Sequence, residues 1–456
     1  MMGNKKLKGL PVALSLVMLG GLLAACNSGG GTAQPAATAE PQAKGAGAAD
    51  PAKQVSEAPA ELTFYVAING WTEERFNEAY GSQIKKKFPN YTLKFIPQGT
   101  AGNKTLEGVI TSGQNVDILI TSIGLTSSFL TQFDMQYDIS DLIKKYNYDL
   151  SRLEPSTIEI QKQLSGNGGI YGLPVSTTSA ALFYNKAIFD KFGVPYPKEG
   201  MTWDELYDLA KKMTRNDGGQ QYKGMTMSVQ HLMLLNQLSA PHLEAKTYKN
   251  QFTTDVFRQA FENLARFYTI PGNGLVNNKY SKASQEEPFY KDQNVAMYAA
   301  LSTTGDVFRE SIDWDMIQLP FFKDKPGIGP QSYPNYFYLS KASKNKDAAF
   351  QVMAYVTSDE FQEFMNKSGN PSILKDPSKL KSTFAADASY FKGKNVKSML
   401  PAKFAAPTEK SKYQTIADTE MQNALVDYAT GKKDINSALR DAGERVDKAI
   451  EAEKKK

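Results

Sequence analysis

The 456-residue sequence predicts an α/β fold of two lobes. Three observations carry that expectation. The chain is too long for one compact core. Short apolar runs alternate with helical periodicities from residue 62 onward. The opening order strand, helix, strand, helix, strand is that of a parallel sheet with crossover helices. Hydrophobic residues make up 41% and charged residues 22%, ordinary values for a globular chain.

Lys5, Lys6 and Lys8 precede an uncharged stretch, Leu10 to Ala25. As a helix that stretch spans about 24 Å, short of the roughly 30 Å hydrocarbon core, so it reads as the apolar region of a signal peptide over 1–25. It ends in Leu23-Ala24-Ala25-Cys26, which resembles the lipobox of bacterial lipoproteins. The resemblance implies that Cys26 becomes the diacylated first residue of the mature protein, a palmitate-type anchor on the outer face of the cell membrane. More than one acyl chain gives stable anchoring. Residues 27–60 contain 5 Gly, 11 Ala and 4 Pro, and Val55 is their one large apolar residue. Such a segment buries too little surface to offset its ordering entropy, so 26–60 is expected to be a disordered tether. Its root-mean-square reach would be roughly 30–35 Å.

The globular part is expected over 61–456. Leu62–Ile68 reads as a buried strand, and Thr72 opens a helix whose stripe is Phe76, Ala79, Tyr80, Ile84 and Phe88. Tyr91–Ile96 is a second strand, Asn103–Ser112 a second helix and Val116–Thr121 a third strand. Alternation continues through Tyr171–Asn185, Trp203–Thr214, Lys223–Val229, Thr253–Tyr268, Asn294–Ala299, Thr304–Ser311 and Trp314–Leu319. After Tyr333–Leu339 the pattern reads as mainly helical and ends in a charged amphipathic helix near Ile435–Ala452. Thr202-Trp203-Asp204-Glu205 has the form of a capping box, and Pro195 and Pro197 fix the connection before it. The chain is expected to cross between lobes near 171–185 and again near 300–340.

Composition excludes several chemistries. Cys26 is the single cysteine and His231 and His242 the only histidines, so disulfide frameworks, thiolate clusters and multi-histidine metal centres are ruled out. Without Lys5, Lys6 and Lys8 there remain 50 basic and 48 acidic residues, a balance that gives no support to nucleic-acid binding. Neither a phosphate-binding loop, a dinucleotide fingerprint nor a nucleophile elbow is present, and no cofactor is expected. Asn216-Asp217-Gly218-Gly219-Gln220 lacks the alternating carboxylates of a calcium loop and reads as a turn. The lysines at 85–87 and 454–456 read as solvated faces.

In an open α/β sheet ligands bind at the carboxyl ends of strands. The loops Asn69–Trp71, Thr121–Gly124 and Ser302–Asp306 each follow a predicted strand. Pyranose rings stack their apolar faces on Trp or Tyr and pair their hydroxyls with Asp, Asn, Gln, Ser and Thr. Trp71 suits such a cleft, or else packs over the first helix. Trp314 reads as core.

The run from Tyr171-Gly-Leu-Pro-Val to Tyr184-Asn185-Lys186, its continuation Phe189 to Leu206 with Thr202-Trp203-Asp204-Glu205-Leu206, and Tyr338 to Ala349 followed by Phe361-Gln362 resemble the family 1 extracellular solute-binding proteins of ABC importers, the maltodextrin-binding type. The resemblance covers essentially all of 61–456. It implies a two-lobed periplasmic-binding-protein-like fold with a hinge and an interlobe ligand cleft. It further implies a non-enzymatic, monomeric protein that captures a sugar and delivers it to permease subunits. By the same resemblance Thr177 and Thr178 line the cleft, or hydrogen-bond within the crossing. Thr178 stands where maltodextrin-binding relatives have a carboxylate. Gln230 and His231 face the second-lobe side, although His231 reads more simply as a satisfied structural residue. Tyr333, Asn335 and Tyr336 lie where the family often contacts ligand. Asn69, Trp71, Thr121, Ser122, Ser302, Thr303 and Asp306 complete the candidate site, with Ser302–Asp306 alternatively a helix cap. A surface lipoprotein that senses or scaffolds without transport, and a carbohydrate-active enzyme, are the competing readings.

Overall fold

The computed structural model describes residues 58–99 and 104–455. The signal segment, Cys26 and the stretch to residue 57 lie outside the described residues. Ala60 already pairs with Tyr91, so the first strand begins within the segment assigned to the tether.

The strands form two mixed five-stranded sheets. The first has the order β2 (Tyr91–Pro97), β1 (Ala60–Val66), β3 (Ile118–Ser122), β10 (Asn335–Leu339), β4 (Gly172–Ser176). The second runs β6 (Arg215–Asp217), β7 (Gln220–Met227), β8 (Val295–Leu301), β5 (Ala180–Asn185), β9 (Trp314–Gln318). β1 pairs in parallel with β2 and β3, as a strand–helix–strand order requires. β10 is antiparallel to both β3 and β4, which corrects the expectation of a purely parallel sheet. The reason is topological: β10 arrives from the second lobe, so it runs away from the seam that β1, β3 and β4 run toward.

Local sequence accounts for the elements that flank the seam. Leu62, Phe64 and Val66 of β1 face one core while Tyr65 faces another, so the strand is buried on both sides. The Thr72 hydroxyl caps the following helix by accepting from the Arg75 N–H at 3.2 Å. Phe76, Tyr80, Ile84 and Phe88 then face the β1 core, although the helix passes through a π turn at Asn77–Gly81. Asn185 caps the helix Lys186–Phe192. Thr202 and Glu205 form the reciprocal capping box of Trp203–Met213, and the Trp203 indole N–H donates to Gln237 at 2.8 Å. Asn216–Gln220 is the β6–β7 hairpin, with Gly218 and Gly219 at φ +58° and +83°, a conformation that favours glycine.

β4 and β5 belong to different sheets, so residues 177–179 cross between the lobes. The chain returns between β9 and β10. It crosses a third time after the helix Asp359–Lys367, because the helices Gln414–Ala429 and Ile435–Glu453 pack in the second-lobe core. Residues 368–413 contain no α-helix, only short 3₁₀ turns at Ser378–Leu380, Ser389–Phe391 and Val396–Met399, contrary to the mainly helical pattern expected there. Pro371, Pro377, Pro401 and Pro407 interrupt any helix across this span.

Candidate functional site at the interlobe seam

The carboxyl ends of β1, β3 and β4 oppose those of β7 and β8 across the seam. The crossing itself is a short antiparallel braid. The Tyr333 N–H donates to the Thr178 carbonyl at 2.8 Å, and the Thr178 N–H donates to the Tyr333 carbonyl at 3.2 Å. The Thr178 and Ser302 hydroxyls lie 2.8 Å apart, and the Ser302 N–H donates to the Ser179 carbonyl at 2.9 Å. Thr177, Thr178 and Ser302 are all buried. Both Thr178 and Ser302 therefore use their hydroxyls within the crossing in this conformation.

Tyr333 stands at the centre of the seam. Its hydroxyl lies 3.0 Å from the Ser122 Oγ, and its ring meets the His231 ring edge-on at 5.8 Å. Gly124 makes this possible, because a Cβ there would lie 2.5 Å from the Tyr333 hydroxyl. The His231 Nδ1 lies 2.8 Å from the Ser228 Oγ. Burial, followed by the nearby Lys282 charge, pushes the His231 pKa down to about 4, so the ring is neutral at physiological pH. Asn335 donates to the Ser176 Oγ at 3.1 Å, and Gln230 is half-buried beside Tyr280.

On the other face of the seam, Trp71 stacks on Tyr80 at 5.4 Å with rings 10° apart, which is the helix-packing alternative of the sequence reading. The Arg75 guanidinium sits 5.1 Å from the centre of the Trp71 ring and 4.0 Å from the Asp306 carboxylate of the second lobe. Asp306 also holds Arg309 at 2.7 Å. Asn69 is exposed and Thr303 half-buried. Two expected residues stay apart from the seam surface. Tyr336 is fully buried and its hydroxyl donates to the Thr157 carbonyl at 2.7 Å. Thr121 is fully buried, with no hydrogen-bond partner for its hydroxyl.

The sequence reading missed a charged cluster beneath Tyr333. Lys410 donates to the Leu234 carbonyl at 2.8 Å and to the Thr408 hydroxyl. Gln414 donates to Asp418 at 2.7 Å, and the His242 Nε2 lies 3.5 Å from the same carboxylate oxygen. Burial raises the Asp418 pKa to about 6 against the opposing pull of Gln414, Lys410 and Gln230. Burial likewise lowers Lys410 to about 7 and His242 to about 3. The signal was available in outline: Gln414 and Asp418 share a helix face with Met421 and Leu425, and polar residues on an apolar face mark a buried polar site. The seam is closed on this side. Ser127 of the first lobe donates to the Lys410 carbonyl at 3.1 Å, and Ser128 meets Thr415 at 3.1 Å. Among the described residues no group of three His, Cys, Asp or Glu side chains could hold a metal ion.

Two lobes joined by crossing strands, with polar side chains gathered where the strands end, form the kind of interlobe seam in which small ligands bind. Residues 69–363 match the family described as bacterial extracellular solute-binding protein, and the chain belongs to that family. It is 23% identical over 393 residues to a putative binding protein of Brucella abortus, covering 81% of this chain and 89% of that one. It is 24% identical over 336 residues to the sn-glycerol-3-phosphate-binding periplasmic protein of Agrobacterium fabrum, covering 68% of this chain and 74% of the relative. Among solved structures it resembles the ABC substrate-binding protein of Listeria monocytogenes in complex with cycloalternan, with TM-score 0.69, 18% identity, and coverage of 86% of this chain and 99% of that one. The periplasmic-binding-protein-like fold follows from the structural likeness, and a solute-binding role follows from membership of the family.

Proposed function

We propose that this is a lipid-anchored extracellular protein that captures a carbohydrate, an oligosaccharide, by hinge closure and delivers it to a membrane permease. The observation that carries the carbohydrate reading is the chemistry of the seam. Its walls carry neutral hydroxyls and amides from Ser122, Gln230, Tyr333 and Asn335, with Thr178 and Ser302 paired to each other in the crossing and Lys410 committed to Leu234 and Thr408. Such groups match sugar hydroxyls, and Tyr333 supplies an aromatic ring. Closure is favoured only to the extent that the ligand binds the closed form more tightly. Cys26 would carry the acyl anchor, with the monomer tethered to the membrane through the segment between Cys26 and the first strand, and ATP hydrolysis left to separate subunits.

The test is calorimetry with a panel of defined oligosaccharides, with sn-glycerol 3-phosphate, a peptide pool and divalent metals as counter-arms. Saturable binding confined to sugars supports the reading. Full occupancy by any counter-arm without a sugar response overturns it. Incorporation of labelled palmitate that is lost in Cys26→Ser tests the anchor separately.

A further inference from the structure

Beside the crossing residue Thr177, a cavity of about 1100 Å³ opens between the helix start at Glu154 and the stretch from Asn366 to Pro407. Of the candidate seam residues only Thr177 reaches it. One wall is first-lobe structure: the helix start Glu154–Ser156 and the stretch Asn366–Pro377, anchored through Ile373 and Leu374 in the β1 core. The opposite wall is Phe384, Val396 and Met399, which pack with Trp314 and Phe183 under the second sheet. The floor is thus apolar, with Phe404 completing it.

The rim is cationic. Lys375, Lys381, Lys397 and Lys403 line the cavity and all are exposed. Among the described residues none of the four ammonium groups makes an ion pair or a hydrogen bond. Their neighbours outside the cavity are engaged: Lys394 pairs with Asp313 and Lys367 with Glu363. The carboxylates nearby also bond to backbone, and the Asp376 charge interacts at a distance with Lys381. Glu154, the one acidic residue of the lining, accepts from the Ser156 N–H at 3.2 Å to cap its helix, and Asp376 accepts from the Ser378 N–H at 3.0 Å. Four unpaired cations around an apolar floor attract one kind of occupant, a negative head on a nonpolar body.

We propose that this cavity is a second ligand site, distinct from the seam, that takes a small organic anion with an apolar or aromatic body. The head group would sit among Lys375, Lys381, Lys397 and Lys403, and the body against Phe384, Val396, Met399 and Phe404. Because the two walls belong to different lobes and Thr177 lies in the crossing, the shape of the cavity changes as the hinge turns. Occupancy and hinge angle are therefore linked, and the anion is an effector of closure.

The probe is 8-anilinonaphthalene-1-sulfonate, titrated by fluorescence and calorimetry into the purified chain. One saturable site per chain is expected. Charge reversal of all four rim lysines to glutamate should weaken it about tenfold or more, whereas reversal of Lys86, Lys212, Lys344 and Lys448 should change it less than about twofold. All these positions are exposed, so unchanged thermal unfolding should accompany both variants. Inorganic phosphate should compete only weakly, because it cannot use the apolar wall. The absence of saturable binding, equal weakening by the control reversal, or displacement by phosphate at equal concentration each overturns the assignment. Small-angle scattering that does not change on saturation with the probe overturns the link to the hinge.

Discussion

Asp418→Asn isolates the buried charge beneath the seam. The carboxyl pKa stands at about 6 against an ordinary 3.8 because the surrounding second-lobe core desolvates the anion. A folded pKa above the unfolded one means that the native state holds the proton more tightly. Between about pH 4 and about pH 6 the native state therefore binds more protons than the unfolded chain, and stability falls as pH rises. The displacement corresponds to about 3 kcal/mol, at about 1.4 kcal/mol per unit, lost in full above pH 6. Asparagine cannot ionise and keeps an oxygen for the Gln414 amide. The variant should therefore gain on the wild type by about 1–3 kcal/mol across this window, the lower figure allowing for relaxation around the charge. Urea unfolding of both proteins at four pH values from about 4 to about 7.5 reads the gap directly. A gap that stays flat to within about 0.5 kcal/mol refutes the argument that burial destabilises the Asp418 anion. A gap that widens toward low pH would reverse its sign.

Three further outcomes follow from the same geometry. Ser302→Ala leaves the buried Thr178 hydroxyl without its 2.8 Å partner and should cost about 1–2 kcal/mol, read as a lowered urea midpoint with unchanged slope. Asp306→Ala removes a half-exposed contact between lobes, so stability should change by less than about 1 kcal/mol while small-angle scattering shows a wider unliganded particle. With the His231 pKa at about 4, ligand affinity should not vary between about pH 5.5 and about pH 8 through this ring. A titration of affinity near pH 6.5 that disappears in His231→Gln would refute its neutrality.

Much of the fold was legible because local signals and tertiary placement agree in this chain. The 62–66 strand pattern, the Thr72 and Thr202 caps and the amphipathic stripe through Ile84 are each set by neighbours in sequence. Where agreement failed, the cause was distant. The direction of β10 depends on the lobe from which the chain returns, which no local pattern encodes. The stretch 368–413 falls in a span whose pattern reads as mainly helical, but its prolines and its two-lobe anchorage hold it irregular.

The candidate site divides in the same way. Strand ends single out Ser122, Ser302 and Asp306, because a side chain at a carboxyl end must face the seam. They do not separate Tyr333, which reaches Ser122, from Tyr336, which turns into the core three residues later. Tyr333 precedes β10 while Tyr336 lies within it against the helix Pro155–Ser165, and that placement makes the choice.

Sequence by itself determined the lobed α/β class, the caps and the loops presented to the seam, since these rest on periodicity and on hydrogen bonds between near neighbours. Only the tertiary structure decided the meeting of Lys410, Asp418 and His242, the contact of Arg75 with Asp306, and the cavity beside Thr177. Those features join residues far apart in the chain, and the desolvation and charge that define them exist only once the lobes have packed.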